Sequence, residues 1–261
     1  MAALSLAFPR FLLALAVLAY ASIRDLKSRE VPDKVWLLSF PAGLALTTID
    51  VSAGVLNVSD FAVSIAVASA LCFTLFYTGL YGGADFKALL FLAVAFPAYT
   101  EGFKPIIESL VPVPVLTVFC NSVLVSLVYP ASILTLNLAD LLKGENPLKD
   151  VAVNTVLGRL VLLATARRIE FEKLKRGIGY FPAEKVVVED GRLVRKPVYF
   201  VGAEADTDDM IRALEVHKEF YRDGVLASPT IPMIVFITSG LALLPAGNLA
   251  FSLILEAATL F

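Results

Sequence analysis

The sequence predicts an all-α polytopic membrane protein: six transmembrane helices, with a cytoplasmic α/β insert between the fifth and the sixth. Three observations carry that prediction. Of 261 residues, 58% are hydrophobic and 18% charged, whereas a soluble domain lies nearer one half and one quarter. Apolar runs recur along the chain, four of the six reaching or exceeding the ~20 residues that cross a bilayer. The polar remainder is collected into a few segments, and one of these is long enough to fold by itself.

The first run, 4–23, has no basic leader and no small-residue cleavage site, and further runs follow it, so it reads as a span and not as a signal peptide. The next are 35–49, 61–81, 88–99, 113–138 and 231–260. The second and fourth are shorter than a bilayer requires, so they need local thinning, or protein and water around their ends. Both flank polar stretches. Residues 142–228 form the insert, which separates a membrane domain, 1–141, from a final span within 229–261. It opens on the breaker "KGENPLKD", and a helical pattern over 153–176 follows. Then "KVVVEDGRLVRKPVYFV" reads as two strands about Asp190-Gly191, a favoured hairpin turn. A last helix is expected over 207–222, with Thr207 as N-cap and the acids of "EADTDD" at its positive end.

Lysine and arginine set the orientation. With the loop after the first span placed inside, 20 of the 22 basic residues lie on the cytoplasmic side, and only Arg10 and Lys104 lie outside. That is the distribution of the positive-inside rule. Both termini are then expected outside.

Composition excludes several classes. A net charge of −2 gives no footprint for nucleic acid. Cys72 and Cys120 stand far apart in apolar runs, which is neither a zinc pattern nor a disulfide framework. A single histidine, His217, leaves no basis for a histidine metal site or a serine–histidine triad in the membrane. No metal and no cofactor is expected. The chain has no glutamine, an avoidance of thermolabile amides that hints at a hot source.

Chemistry concentrates in two inside loops. "ASIRDLKSREVPDKVW" carries Asp25, Glu30 and Asp33, and "YGGADFKALLF" carries Asp85. Asp25 closes one span and Asp85 opens another on the same side, so the two meet if the first and fourth spans are neighbours. Two facing carboxyls that share a proton are the minimal kit of aspartyl proteolysis. Gly82 and Gly83 permit φ > 0 and a close backbone approach, so a substrate peptide has room beside Asp85. Plainer roles stand beside these. Asp85 suits a cap of the fourth helix, with Lys87 a topology charge, and Asp25 suits a mixed-charge juxtamembrane loop. Asp33, after Pro32, is the expected N-cap of the second span.

"DLKSREVPD" after a first span, and "GGADFK" between the third and fourth, resemble the two signatures of the GxGD-type prepilin peptidases. The similarity is greatest to their archaeal branch, the preflagellin (prearchaellin) peptidases. "SPTIPMIVFITSG", 228–240, resembles that branch's proline-containing entry to the last span. The resemblance implies that Asp25 and Asp85 are the catalytic aspartates. It implies precursor archaellins or type IV pilins with short basic leaders as substrates, cut at the cytoplasmic face of the cell membrane. Gly82, Gly83 and Ala84 would then border the substrate, and Glu30 and Asp33 would attract its basic leader. Ala84 stands where the wider family has glycine. The cysteine pairs of many bacterial relatives are absent, and so is any N-methyl-transfer site. The rival reading is a small cation or proton transporter built on a membrane carboxylate pair. No internal repeat supports it, and both acids sit at one face. A membrane-anchored scaffold for the insert leaves "GGADFK" unexplained.

Overall fold

The computed structural model describes residues 5–107, 111–176, 179–189, 191–202 and 205–259. Residues 4 and 260 of the first and sixth runs, Asp190 of the hairpin turn and Glu204 of the acidic stretch lie outside them. The helices are α1 (Ala7–Ser28), α2 (Asp33–Ser52), α3 (Val58–Tyr77), α4 (Gly83–Ala95), α5 (Pro114–Ser126), α6 (Val128–Leu142), α7 (Val156–Thr165), α8 (Phe171–Lys175), α9 (Thr207–Glu215), α10 (Met233–Ala242) and α11 (Leu249–Thr259). Strands β1 (Arg167–Ile169), β2 (Tyr180–Pro182), β3 (Glu184–Glu189), β4 (Arg192–Pro197) and β5 (Val225–Pro229) complete it. The chain divides into two compact units, one of residues 1–126 with 232–261 and the other of 127–231.

Four stretches among the described residues are long and apolar enough to cross a membrane: Ala7–Ser28, Asp33–Ser52, Val58–Tyr77 and Pro114–Leu142. The second run is therefore not short, because α2 begins at Asp33 and reaches 20 residues. The fourth is short, and the structure shows what it has in place of length. At 13 residues α4 rises about 20 Å, but α1, α2, α3, α5 and α10 all pack on it. Ala88, Leu89, Phe91, Leu92, Ala93 and Ala95 are buried. From Ala88 onward α4 is apolar all round, as a core helix is, and rests on protein. Gly43 brings α2 against it so closely that an added Cβ would lie 2.9 Å from the Ala95 Cβ. Phe91 meets Trp36 and Phe40 of α2.

The sixth run is not one helix. It breaks at "LPAGN" into α10 and α11, with Gly247 at φ +104°. Buried Asn121 of α5 bridges the break, donating to the Gly247 carbonyl at 2.8 Å and accepting from the Leu249 N–H at 2.9 Å. Pro245 and Gly247 are the signals a purely hydropathic reading overrides. Hydroxyls join α10 to α1: Ser22 Oγ and Thr238 Oγ1 lie 2.7 Å apart, and Thr238 donates to the Leu18 carbonyl at 3.1 Å. Such bonds hold helices together where burial alone gives no preference.

A second buried polar contact in this unit joins α1 to α2. Arg10 and Asp50 form an ion pair at 2.9 Å with side chains 0% and 1% exposed. Asp50 also accepts the Leu6 N–H, at 3.0 Å, and the Arg10 guanidinium lies 5.5 Å from the centre of the Phe96 ring. Read from the sequence as a charge on the outer side, Arg10 is enclosed and paired.

The second unit carries β1, β5 and β2 as an antiparallel sheet in the order β1-β5-β2, and the hairpin β3-β4. The hairpin register, Glu189 opposite Arg192, agrees with the expected turn, and Gly191 holds φ +74°. Two expectations here are corrected. The helical pattern over 153–176 is split into α7 and α8 by β1, because Arg167–Ile169 pairs with β5. The last helix starts at Thr207, but its cap is Asp206, whose carboxylate accepts the N–H groups of Asp208 and Asp209 at 2.9 and 3.1 Å. Aspartate is a stronger cap than the β-branched threonine, and here it takes the position one residue earlier. Glu184 and Arg195, buried and bidentate at 2.6 and 2.7 Å, tie the hairpin to β5 through the Leu226 N–H.

Candidate active site

α1 runs to Ser28, five residues beyond the apolar run, so Asp25 stands inside its last turn and not after it. Arg29 then turns left-handed at φ +55° and closes the helix by donating its N–H to the Asp25 carbonyl at 2.9 Å. Few non-glycine residues adopt that conformation. It ends the helix abruptly and leaves the Asp25 carboxyl half-buried, under the field of the Arg29 charge.

The chain reaches Asp85 from α3. Gly79, at φ +68°, ends α3 by a turn in which the Leu80 N–H returns to the Leu75 carbonyl at 3.1 Å. That corrects the expectation for Gly82 and Gly83, since neither takes positive φ and Gly82 is extended at φ −84°. The left-handed turn falls at Gly79 because the reversal occurs directly at the α3 terminus, where the Schellman pattern needs it. Gly82 is the N-cap of α4 and Asp85 its third residue. The Asp85 Oδ2 accepts the Gly82 N–H at 3.2 Å. The capping role read for Asp85 is thus real, and the positive helix end favours its charge. A Cβ on Gly83 would meet nothing within 4 Å. The backbone beside Asp85 is bare on that side, while Ala84 is half-buried against the core.

α1 packs on α4, and the Asp25 and Asp85 carboxyls lie within electrostatic reach of each other. Of the other singled-out residues, Glu30 is exposed. Asp33 does not cap α2: Pro32 holds that position with no side-chain bond, and Asp33 is the first helical residue. Its carboxylate turns instead to Lys87 of α4, 2.5 Å away. Lys87 thereby has a structural partner that its reading as a topology charge did not include. Cys72 is buried and points its thiol at the Phe86 carbonyl, 3.7 Å away. Tyr81, four positions before Asp85, reads from the sequence as packing or an interface anchor, like the other aromatic residues. The only signal setting it apart was its place in the quoted motif. Among the described residues no three histidine, cysteine or acidic side chains gather as a metal site would need.

A carboxyl pair at the ends of two packed apolar helices defines a class, that of polytopic membrane proteins with acids at a helix-terminal site. The comparisons narrow it. Residues 12–131, which span both aspartates, match the type IV leader peptidase family. Along most of its length the chain is similar to the preflagellin peptidase of Methanococcus voltae, with 27% identity over 253 residues, covering 91% of this chain and 95% of that one. The resemblance carried by the two motifs therefore extends over the architecture. Together these similarities support a multi-pass membrane protease of the leader-peptide-processing kind.

Proposed function

We propose that this protein is a membrane aspartyl endopeptidase that removes short basic leaders from archaellin- or type IV pilin-like precursors at the cytoplasmic membrane face. The observation that supports it most is the approach of Asp25, at the end of α1, to Asp85, at the start of α4. In this reading the ionised member of the pair takes a proton from water, and that water attacks the scissile carbonyl. The protonated member hydrogen-bonds the carbonyl oxygen and later protonates the leaving amine. The precursor's apolar helix stands in the bilayer, and its backbone crosses the bare edge at Gly82, Gly83 and Ala84. Glu30 and Asp33 face the leader's cations, so a leader lysine or arginine would compete with Lys87 for Asp33. Incubating the purified protein with a panel of precursors, then sequencing the product N-termini, tests it. Release of the leader as a single fragment is expected, and a panel left intact rejects the reading.

The bare edge makes a separate prediction. Gly83→Val places a Cβ where no atom of the described residues lies within 4 Å, on an exposed position. Its melting temperature should therefore stay at the wild-type value, while KM rises or cleavage is lost. A Gly83→Val protein that cleaves normally would remove the peptide-approach role.

The cytoplasmic placement rests on charge. With Arg10 enclosed by Asp50, Lys104 is the exposed basic residue left on the proposed outer side, which sharpens the asymmetry. In a Cys72→Ala, Cys120→Ala background, Ser28→Cys and Glu172→Cys should resist an impermeant thiol reagent in intact cells and react in inverted vesicles. Ser52→Cys should do the reverse. Labelling of positions 28 and 172 from outside would invert the topology.

A further inference from the structure

Tyr81 lies in the turn between α3 and α4. The residue is 7% exposed, and its ring rests against Phe119 of α5, with centroids 6.1 Å apart. Its hydroxyl is buried and bonds to no group among the described residues. A buried phenol normally has a partner, and leaving one without is costly. The hydroxyl also lies within electrostatic reach of Asp85 and of Cys72. Neither holds it. The Asp85 Oδ2 is engaged by the Gly82 N–H, and the Cys72 thiol is directed at the Phe86 carbonyl. A proton donor thus stands within electrostatic reach of one carboxyl of the pair, on a packed ring, and donates to no group among the described residues.

The geometry points to Tyr81 as a third catalytic group, whose hydroxyl donates a hydrogen bond to the oxygen of the scissile carbonyl as that oxygen gains charge. This rests on the aspartyl-peptidase reading above. Any peptide carbonyl attacked between Asp25 and Asp85 places an oxygen near Asp85, and a neutral phenol is a donor there at every pH at which the pair is active. Donors preorganised toward a developing oxyanion act on the chemical step more than on ground-state binding. The phenol needs no charge, so it adds stabilisation without disturbing a proton shared by two carboxyls. Its packed ring holds the hydroxyl in place without a second hydrogen bond.

Tyr81→Phe keeps the ring against Phe119 and deletes only the oxygen, so the fold should survive. Turnover of a preflagellin that the wild-type protein cleaves should fall on the order of 100-fold, with KM within about twofold. Two probes separate catalysis from packing. A precursor peptide carrying a hydroxyethylene group at the scissile position mimics the tetrahedral intermediate, and its affinity should fall with kcat. The same peptide with an N-methylated, uncleavable bond should bind the variant as it binds the wild-type protein. Turnover within about twofold of wild type overturns the inference, and so does an equal loss of affinity for both peptides. Asp25→Asn and Asp85→Asn, measured alongside, keep the two hypotheses apart. If both are inactive while Tyr81→Phe is normal, only the tyrosine's role fails. If either cleaves normally, the carboxyl-pair reading fails and the tyrosine's role fails with it.

Discussion

Asp25→Asn and Asp85→Asn are each expected to abolish precursor cleavage, with kcat reduced by a factor on the order of 1,000 or more. Each change keeps the size of the side chain but removes the group that cycles a proton, and catalytic groups that act as a unit are lost as a unit. The double variant should therefore be no slower than either single one. Stability separates the two positions. Asp85 also caps α4 through the Gly82 N–H, a contact an asparagine oxygen can keep, so Asp85→Asn should lower the melting temperature only slightly. Asp25 closes α1 through its backbone carbonyl, which the substitution leaves in place. Single-turnover assays with a cleaved precursor provide the rate, and thermal unfolding in detergent provides the stability. Near-wild-type cleavage by either variant would remove that aspartate from the chemistry. A milder effect is expected of Asp33→Asn, which loses an exposed ion pair with Lys87 and one of the two acids proposed to face the leader, but no proton-cycling group.

The largest loss of stability is expected from breaking the Arg10–Asp50 pair. Both side chains are enclosed, at 0% and 1% exposure, so removing one leaves the other charged and unpaired in the interior. Such a loss costs about 3–5 kcal/mol. Asp50→Leu and Arg10→Met should each unfold at markedly lower temperature. Asp50→Leu should be the worse, because Asp50 also accepts the Leu6 N–H. The double variant Arg10→Met, Asp50→Leu should recover part of the loss, since two apolar side chains leave no stranded charge. Thermal unfolding followed by size-exclusion chromatography is the measurement. Single variants that unfold at the wild-type temperature would show that the α1–α2 clasp is dispensable.

Much of the architecture was legible in the sequence because its signals are local and additive. Hydropathy over about 20 residues needs no partner, so α1, α3 and the stretch Pro114–Leu142 follow from composition. The β3-β4 hairpin follows from a two-residue turn between alternating strands. The aspartates at the two loops were legible because acids beside apolar runs are costly and therefore conspicuous. What failed were boundaries that depend on competition between neighbouring groups. Thr207 and Asp206 competed for one helix end, Gly82 and Gly79 for one reversal, and hydropathy and "LPAGN" for the last segment.

By itself, the sequence determined that this is a helical membrane protein with a folded polar insert and two acidic loops. Only the tertiary structure decided which charges meet. Arg10 and Asp50 are 40 positions apart, and Asp33 and Lys87 are 54 positions apart, so no local pattern pairs them. Asp25 approaches Asp85 because α1 packs on α4, and α4 can be short because five helices surround it. The unspent hydroxyl of Tyr81 is likewise invisible in sequence, where every tyrosine reads as an interface or packing residue. Local preference is set by the covalent chain and survives in the primary structure. Hydrogen-bond satisfaction and charge pairing belong to groups brought together in space, and only the packed helices specify them.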